Sequence, residues 1–336
     1  MSAFSFSFTG DDIEDFEELE PTSIVRNHAA ETGSLQRTRT DSNSAFPVAG
    51  QPLLTPQSHS LESLLEGLPS AISYSTLSVQ VDDGQEMRLP RRELWDVRVQ
   101  LMAEQDDEGL GNLKNDDIKT GVYEGGFKSW ESSIDLVKVL ATKGVQTGTQ
   151  HGLKGQRMLE AGFRSYSKLG LADYNPTVLR LVTLPNMLLT WAFSKNKATW
   201  DGAGEFEIDE DTVNEFQSDL KQRAVSLSFF SGAWSPEFVQ IIQQWCSGAE
   251  YPLTVVGAET IYSPMALGSF ADTVMGILAT LQNPESGIAL VGAKTVYFGV
   301  GGSMDDFIQW VAELGGIVNR IREESDGVRR EVVEGS

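Results

Sequence analysis

From residue 129 onward, the apolar residues of the chain follow two spacings in alternation. Helical spacing is clearest in SWESSIDLVKVLATKG (129–144), where Ile134, Val137 and Leu140 share one face and Gly144 stands where the helix would end. Short apolar runs typical of strands occur at RMLEAG, LGLADYN, AVSLSFF, LTVVGAETIY and ALVGAKTVYFGV. Helix-like stretches lie between them, at 176–193, 211–223, 236–245, 265–281 and 304–314. This alternation predicts an α/β domain with a mostly parallel sheet covered on both faces.

Two features modify this pattern. The earlier runs AISYSTLSVQV (71–81) and LWDVRVQLMAE (94–104) are predicted as short strands, followed by an acidic loop at 106–117. Pro185 lacks the amide hydrogen that a continuous helix needs, so it should kink or divide the helix-like stretch 176–193.

The C-terminal segment GIVNRIREESDGVRREVVEGS departs from the alternation. It predicts two strands joined at Ser325-Asp326-Gly327, because Asp-Gly is a favoured hairpin turn. A parallel sheet that finishes with an antiparallel hairpin is how class I methyltransferases are built, and the ordinary nucleotide-binding oxidoreductase fold lacks that ending. The expected fold is therefore α/β, a Rossmann-like class I methyltransferase domain over residues 90–336.

Residues 1–89 are rich in Ser, Thr, Pro, Gln and acidic residues. Such a composition buries too little apolar surface to offset the entropy of ordering, so this segment is predicted to be a disordered tail. The patch LESLLEGL (61–68) is expected to form at most a helical turn or two. A partner-docking motif within the tail is the alternative interpretation.

Composition and charge restrict the classes of molecule and the cellular setting expected for the chain. The 336 residues include 26 basic and 48 acidic ones, for a net charge of −22 and a pI near 4.5. Binding to nucleic acid through phosphate neutralisation would need the opposite sign. The single cysteine, Cys246, forms no internal disulfide, and His28, His59 and His151 lack the spacing of a zinc site. An acidic N-terminus and the absence of about 18 uninterrupted apolar residues predict neither secretion nor membrane insertion.

Several separated strings together resemble the histidine protein methyltransferase family. They are GVYEGGFKSWESSIDLV (121–137), LADYNPTVLRLVTLPNMLLTWA (171–192), FFSGAWSPEF (229–238), AETIYSP (258–264) and VYFGVGGS (296–303). The resemblance runs from about Leu94 to the C-terminus in the family's order. It implies an S-adenosylmethionine-dependent enzyme that methylates a protein histidine, with a ribosomal large-subunit protein as substrate. It also implies a monomer in the cytoplasm, the nucleus or both.

The resemblance also implies site residues. The Lys-x-Trp-Glu segment Lys128, Trp130 and Glu131 lies on the cofactor in the family, although a buried structural Trp is the alternative. At the adenine edge the resemblance places Gly232, Ala233 and Trp234, for which a tight turn at Gly232 is the alternative.

The acidic-x-x-Tyr string at 259–262 ends the fourth strand, at the edge where open α/β sheets place their chemistry. Glu259 and Tyr262 are the expected holders of the substrate ring, and Thr260 is assigned to the cofactor. Tyr262 packed in a regular strand is the alternative. The loop Gly299-Val300-Gly301-Gly302 favours a tight strand-to-helix turn over a phosphate site.

Asp173 falls at the end of the second strand, where an acidic side chain can accept from both ribose hydroxyls of a nucleoside. Its neighbours Tyr174 and Asn175 are assigned to the same cofactor site. Capping of the helix that begins at Asn175 or Pro176 is the alternative.

One departure from the family concerns the first strand, RMLEAG, whose Glu160 and Gly162 should contact the cofactor. Only FRSYSK (163–168) follows before the next strand, whereas a parallel crossover takes a dozen or more residues. A glycine loop and helix of about twenty residues are therefore missing. Either coding sequence was skipped when the protein sequence was derived, which the cost of the uncovered apolar surface favours, or the deletion is real and weakens cofactor binding.

The predicted function is methylation of a neutral histidine ring, which needs alignment and desolvation rather than a strong base. The acidic surface suits a basic ribosomal protein as substrate. Two alternatives stay open: a catalytically impaired binding or chaperone-like module for the same substrate, and a lysine-directed protein methyltransferase, which would need a stronger base.

Overall fold

A computed structural model describes residues 54–104, 127, 130–146, 156–159, 166–197, 200, 202–247, 252–281, 283 and 286–336. The strands within these residues are β1 Gln57–His59, β2 Ala71–Gln80, β3 Glu86–Arg92, β4 Gln156–Leu159, β5 Tyr166–Asp173, β6 Ala203–Glu207, β7 Ser226–Ser231, β8 Leu253–Ala258, β9 Gly287–Lys294, β10 Val318–Glu324 and β11 Arg330–Gly335. The helices are α1 Leu61–Leu65, α2 Leu94–Ala103, α3 Glu131–Gln146, α4 Pro176–Val178, α5 Leu184–Ser194, α6 Glu210–Gln222, α7 Pro236–Cys246, α8 Pro264–Ala279 and α9 Met304–Glu313.

The larger sheet has eight strands in the order β1-β7-β5-β4-β8-β9-β11-β10. Neighbours from β7 to β9 are parallel, whereas β11 is antiparallel to both β9 and β10, and β1 is antiparallel to β7. The α/β fold with a mostly parallel sheet is thus confirmed, and so is the C-terminal hairpin. Gly327 in its turn has a φ of 76°, which glycine adopts at little cost.

Helices cover both faces of this sheet. Neighbouring residues on one strand point to opposite faces, and they belong to different hydrophobic clusters. The first cluster contains Phe229, Val256, Leu290 and Val332, and the second contains Phe230, Val255, Val291 and Val333. Helices α3 and α5 contribute Leu136 and Leu188 to the first cluster, and α7 and α8 contribute Ile242 and Phe270 to the second. Burial on both faces explains why the strands are apolar without alternation.

A smaller antiparallel sheet, β3-β2-β6, is built from strands that lie between strands of the larger sheet in sequence. Ile72 and Tyr74 of β2 and Phe206 of β6 are buried in the first cluster. The expected tail boundary at residue 89 is therefore corrected, because residues 54–89 contain β1, α1, β2 and most of β3. Alternate apolar residues in β2 bury one face despite the polar composition of the segment. Residues 1–53 lie outside the described residues.

The segment 94–104 was expected to be a strand, and this prediction is wrong because it forms helix α2. Its apolar residues at every second position imitate a strand. In the helix, Val97 and Leu101 lie four residues apart and are both buried. Asp96 in the first turn accepts a hydrogen bond from the buried Arg92 at 2.6 Å, which ties α2 to β3.

Pro185 divides the helical stretch 176–193, as predicted. A π-helical segment, Leu179–Thr183, separates α4 from α5, and Pro185 lies in the first turn of α5. Because proline has no amide hydrogen, the carbonyl of Leu181, four residues earlier, loses its helical partner. The Arg92 guanidinium donates to that carbonyl at 2.9 Å, so a side chain from β3 replaces the missing helical partner.

Candidate active site

The carboxyl ends of β5, β7, β8 and β9 lie at one edge of the larger sheet, since these strands run parallel. Asp173 at the end of β5 pairs with Ser231 of β7, and Ala258 at the end of β8 pairs with Gly292 of β9. Open α/β sheets bind their ligands at this edge. The fold therefore brings the predicted segments 173–175, 232–234 and 259–262 to the same edge.

Glu259 is the first residue after β8, and its carboxylate is held from two sides. The Ser132 hydroxyl, from the first turn of α3, donates to Oε1 at 2.6 Å, and the Tyr297 hydroxyl donates to Oε2. The backbone of Glu259 has a φ of 55°, in the left-handed region that non-glycine residues seldom adopt. Such strain persists only where the surroundings hold it, and it concentrates at functional sites.

The charge state of Glu259 depends on opposing effects. Burial raises the pKa of Glu259, whereas the hydrogen bonds from Ser132 and Tyr297 and the positive charge of Lys294 lower it. The neighbouring carboxylate of Glu131 raises it slightly further. Burial and the Glu259 carboxylate in turn raise the pKa of Tyr297, so its hydroxyl stays a donor. The site thus holds a half-buried carboxylate whose ionised form depends on its two hydroxyl donors.

Trp130 and Glu131 directly precede Ser132, whose hydroxyl donates to Glu259. The Lys294 ammonium, at the end of β9, lies 4.8 Å from the Trp130 ring centroid and 5.9 Å from that of Tyr297. These distances are typical of cation–π contacts. Glu131 is the first residue of α3. The sequence-predicted Trp130 is therefore half-buried and lies against Lys294, whose positive charge also acts on Glu259.

Gly292 of β9 allows α3 to approach the sheet. A Cβ atom at this position would lie 2.8 Å from Leu136 Cγ and 3.1 Å from the Ser132 carbonyl oxygen. Since side chains do not tolerate such distances, only glycine lets the first turn of α3 pack here. The Gly292 carbonyl also accepts from the Glu259 amide at 2.9 Å. Gly292 thus positions both partners of the Ser132–Glu259 hydrogen bond.

Asp173 ends β5, and part of its carboxylate has a local structural role. Its Oδ1 accepts from the Asn175 amide at 2.7 Å and from the Asn175 side chain at 3.2 Å. Asn175 is the N-cap residue of α4, so these contacts fix the turn that leads into the helix. Tyr174 and Asn175 are both buried, at 5% and 6% exposure. The half-buried Asp173 thus ends β5 at the edge of the sheet where open α/β folds bind ligands.

The residues after β7 form a tight turn, which is the alternative role given to Gly232 in the sequence analysis. Gly232 has a φ of 111°, and a Cβ atom there would lie 2.7 Å from Pro56 Cα. Ala233, which is buried, donates its amide to the Leu54 carbonyl at 2.9 Å. The Trp234 ring lies 5.1 Å from the Phe270 ring. The chain just before β1 therefore packs directly against the turn that was expected at the adenine edge.

Thr260 and Tyr262 differ in their surroundings. Within the described part of the chain, Thr260 Oγ1 is a buried atom without a hydrogen-bond partner. Tyr262 is 6% exposed and lies in the second hydrophobic cluster. The tyrosine hydroxyl that contacts Glu259 belongs to Tyr297, not to the residue singled out in the sequence.

Three predicted cofactor residues, Lys128, Glu160 and Gly162, lie outside the described residues. The strands on either side of 160–165 are described, and β4 and β5 are adjacent and parallel. Leu159 ends β4 and Tyr166 begins β5, so only residues 160–165 connect the two strands. The structure thus pairs these strands in parallel across six connecting residues, a length that the sequence analysis took to be too short for a parallel crossover.

Sequence reasoning missed Ser132, Lys294 and Tyr297. Ser132 was hidden in a helix pattern, and Lys294 and Tyr297 were included in one long strand prediction. β9 ends at Lys294, however, and the chain turns so that Tyr297 reaches back to Glu259. A polar residue near the carboxyl end of the predicted fifth strand was the sequence feature that could have pointed to these site residues.

Within the residue ranges that the structure describes, no group of three His, Cys, Asp or Glu side chains is arranged to hold a metal ion. None of the helices found there is both long and apolar enough to cross a membrane.

Comparison with known proteins identifies the family. No protein-family model matches the chain. Histidine protein methyltransferase 1 of Saccharomyces cerevisiae is 30% identical over 345 aligned residues, covering 91% of this chain and 89% of the relative. This alignment is longer than the chain itself, so the relative has residues without a counterpart here.

The protein of the same name from Schizosaccharomyces pombe is 32% identical over 302 residues, 84% of this chain and 85% of the relative. The histidine protein methyltransferase 1 homolog of Mus musculus is 31% identical over 227 residues, which cover 65% of this chain and 58% of the relative. Since identity of this level extends over most of both chains in the two yeasts, the protein belongs to the histidine protein methyltransferase family.

Proposed function

We propose that the chain transfers a methyl group from S-adenosylmethionine to a ring nitrogen of a histidine in a protein substrate, on a class I methyltransferase fold. The observation that carries the proposal is the Glu259 carboxylate, held by Ser132 and Tyr297 at the carboxyl edge of a parallel sheet. The strand order supports the fold assignment: five parallel strands are followed by an antiparallel hairpin whose last strand inserts beside β9.

The residues at this edge fit a nucleoside cofactor. Thr260 Oγ1 is buried without a partner among the described residues, and an unsatisfied buried hydroxyl costs free energy that a bound polar ligand would recover. Asp173 would accept from the ribose hydroxyls, and the turn at 232–234 would contact the base. When bound, S-adenosylmethionine supplies a methyl group on a positively charged sulfur.

Glu259 would orient the substrate ring. Attack requires a nitrogen with a free lone pair, so the imidazole must be neutral, as histidine mostly is above its ordinary pKa of about 6.5. A carboxylate has about four acceptor sites, and Ser132 and Tyr297 occupy two of them. A remaining site accepts the N–H of the substrate ring, which fixes the tautomer and stabilises the cation that forms on methylation.

The substrate is proposed to be a basic protein, a ribosomal large-subunit protein by family resemblance. The net charge of −22 attracts a basic partner over long range, and salt should weaken this attraction. A monomer that acts in the cytoplasm, the nucleus or both fits such a substrate. The names of the relatives favour histidine over lysine as the methylated residue.

The connection from β4 to β5 favours a second candidate function. Residues 160–165 span on the order of 20 Å when extended, which can return the chain to the start of β5 but leaves no length for a helix. A chain that lacks the cofactor loop would bind its substrate protein without methylating it. The S. cerevisiae relative does have residues without a counterpart in this chain, which the interpretation of missing residues requires.

The experiment compares the chain as written with an extended version that carries an inserted glycine loop and helix of about twenty residues between Leu159 and Tyr166. Both are incubated with labelled S-adenosylmethionine and ribosomal large-subunit proteins, and methylhistidine is measured by mass spectrometry. We expect methylhistidine from the extended version and little from the chain as written. Glu259→Ala in the extended version is the control. A folded extended version that forms no methylhistidine would exclude methyl transfer and favour the binding module.

A further inference from the structure

The loop between β9 and α9 directs apolar side chains into solvent. Phe298 is 88% exposed, the highest value for a large apolar residue in the described part of the chain, and Val300 and Val296 are 52% and 41% exposed. Tyr297, between them, is 8% exposed and points inward. Apolar side chains that cluster on a surface mark interaction sites.

This loop is held rigidly by its backbone. Val296 and Ser303 form an isolated antiparallel bridge, and the Tyr297 amide donates to the Gly302 carbonyl at 2.8 Å. The Gly302 amide donates to the Tyr262 carbonyl at 3.1 Å, which anchors the loop to the segment between β8 and α8. The tight strand-to-helix turn predicted here is thus confirmed. A preorganised surface loses little entropy when a partner binds.

The loop adjoins the candidate active site. The Tyr297 hydroxyl donates to Glu259, and consecutive Cα atoms lie only about 3.8 Å apart, so Phe298 follows directly on a residue of the site. A histidine held at Glu259 would therefore bring its own chain neighbours to this loop. Contact with the loop therefore requires only the residues that neighbour the target histidine in the substrate chain.

The charge around the loop favours a basic partner. Asp305 and Asp306 open α9 immediately after it, and the Asp305 side chain is 80% exposed although it pairs with Arg320. The whole chain carries 48 acidic against 26 basic residues. Complementary charge raises the rate of encounter and fixes orientation, while the apolar contact supplies affinity.

We infer that Val296, Phe298 and Val300 form the docking surface for the substrate segment that flanks the target histidine. This segment is basic and carries a large apolar side chain that packs on Phe298. The inference rests on the proposed function, because it takes Glu259 as the residue that holds the ring.

The experiment measures binding by fluorescence anisotropy, so that it does not depend on methyl transfer. The probe is a labelled 15-residue peptide with a central histidine, lysines and arginines on both sides, and a leucine three residues from the histidine. Phe298→Ser should weaken binding about tenfold or more, as loss of a central aromatic anchor does. A peptide with serine for the leucine should bind as weakly, and Phe298→Ser should weaken it no further.

Ile317→Ser is the matched control. Ile317 is 66% exposed and precedes β10, whose first residue pairs with Gly335, next to the amino end of β9 and thus at the opposite edge of the sheet. This variant should bind the peptide like the unaltered chain, and both variants should unfold at the unaltered temperature.

Absence of binding, equal affinity for the Phe298→Ser variant, or stronger binding of a peptide with acidic flanks would overturn the inference. Phe298-dependent binding by an extended chain that forms no methylhistidine would support the docking surface and refute methyl transfer. The two proposals therefore fail separately.

Discussion

Replacing Tyr297 by phenylalanine tests whether the loop after β9 controls the charge state of Glu259. The substitution removes the hydroxyl that donates to Glu259 Oε2 and leaves the ring in place. Burial already raises the pKa of Glu259, and the Tyr297 hydrogen bond opposes that rise. The pKa of Glu259 should therefore be higher still in the variant.

The sign of the stability effect follows from this direction. Because the folded protein holds the Glu259 proton more tightly than the unfolded chain does, ionisation destabilises the fold. This penalty is absent below the ordinary carboxyl pKa and grows as the pH rises through the raised value. A hydrogen bond to an ionised group contributes about 1.5–3 kcal/mol, and one to a neutral group about 0.5–1.5 kcal/mol. Tyr297→Phe should thus cost about 1 kcal/mol more at high pH than at low pH.

Urea unfolding at a series of pH values, from about 5 to about 8, measures this difference. Tyr297→Phe should lose more unfolding free energy at the alkaline end, and Ser132→Ala should behave in the same way. In a Glu259→Gln background the pH dependence of the Tyr297→Phe effect should disappear, since the titrating group is gone. An equal loss at every pH would refute the idea that Tyr297 stabilises the ionised carboxylate.

Further substitutions test the surrounding framework. Asp173→Ala in the extended chain should weaken S-adenosylmethionine binding by about 1.5–3 kcal/mol in calorimetry; unchanged affinity would leave Asp173 with a structural role through its contacts to Asn175. Gly292→Ala should lower the unfolding free energy by about 1–3 kcal/mol, because its Cβ would meet α3 at 2.8 Å, whereas Gly335→Ala, with neighbours at 3.7 Å, should be nearly neutral. Asp135→Asn should cost about 3–5 kcal/mol in urea unfolding, because it breaks a buried 2.7 Å ion pair with Arg330, and Arg330→Met added to it should recover part of the loss.

Local patterns were informative where one residue type carries one physical property. The Asp-Gly turn predicted the C-terminal hairpin because its backbone preference does not depend on the rest of the fold. Pro185 predicted the divided helix because proline has no amide hydrogen. The carbonyl it leaves unpaired is satisfied by Arg92, and this partner was not predictable, since it comes from a distant strand.

Sequence patterns gave wrong predictions where the spacing of apolar residues fits both a strand and a helix, and where overall composition masked a strand. Apolar residues at every second position around Val97 imitated a strand, yet the segment is a helix, because Val97 and Leu101 bury together against the π-helical segment. The N-terminal strand β2 was assigned to a tail despite its strand pattern, because its polar composition outweighed the few residues that bury. Composition averages over a segment, whereas burial selects individual positions.

The sequence by itself determined the α/β class, the terminal hairpin, the family and the three strand-end segments that meet at one sheet edge, since each depends on local periodicity, turn chemistry or matched strings. Only the tertiary structure decided which side chains hold Glu259. Ser132 and Tyr297 are separated from it by 127 and 38 residues, and they meet it because Gly292 lets α3 approach β9 and the loop after β9 turns back. Contacts between distant segments depend on how closely whole elements pack against each other, which no local pattern encodes.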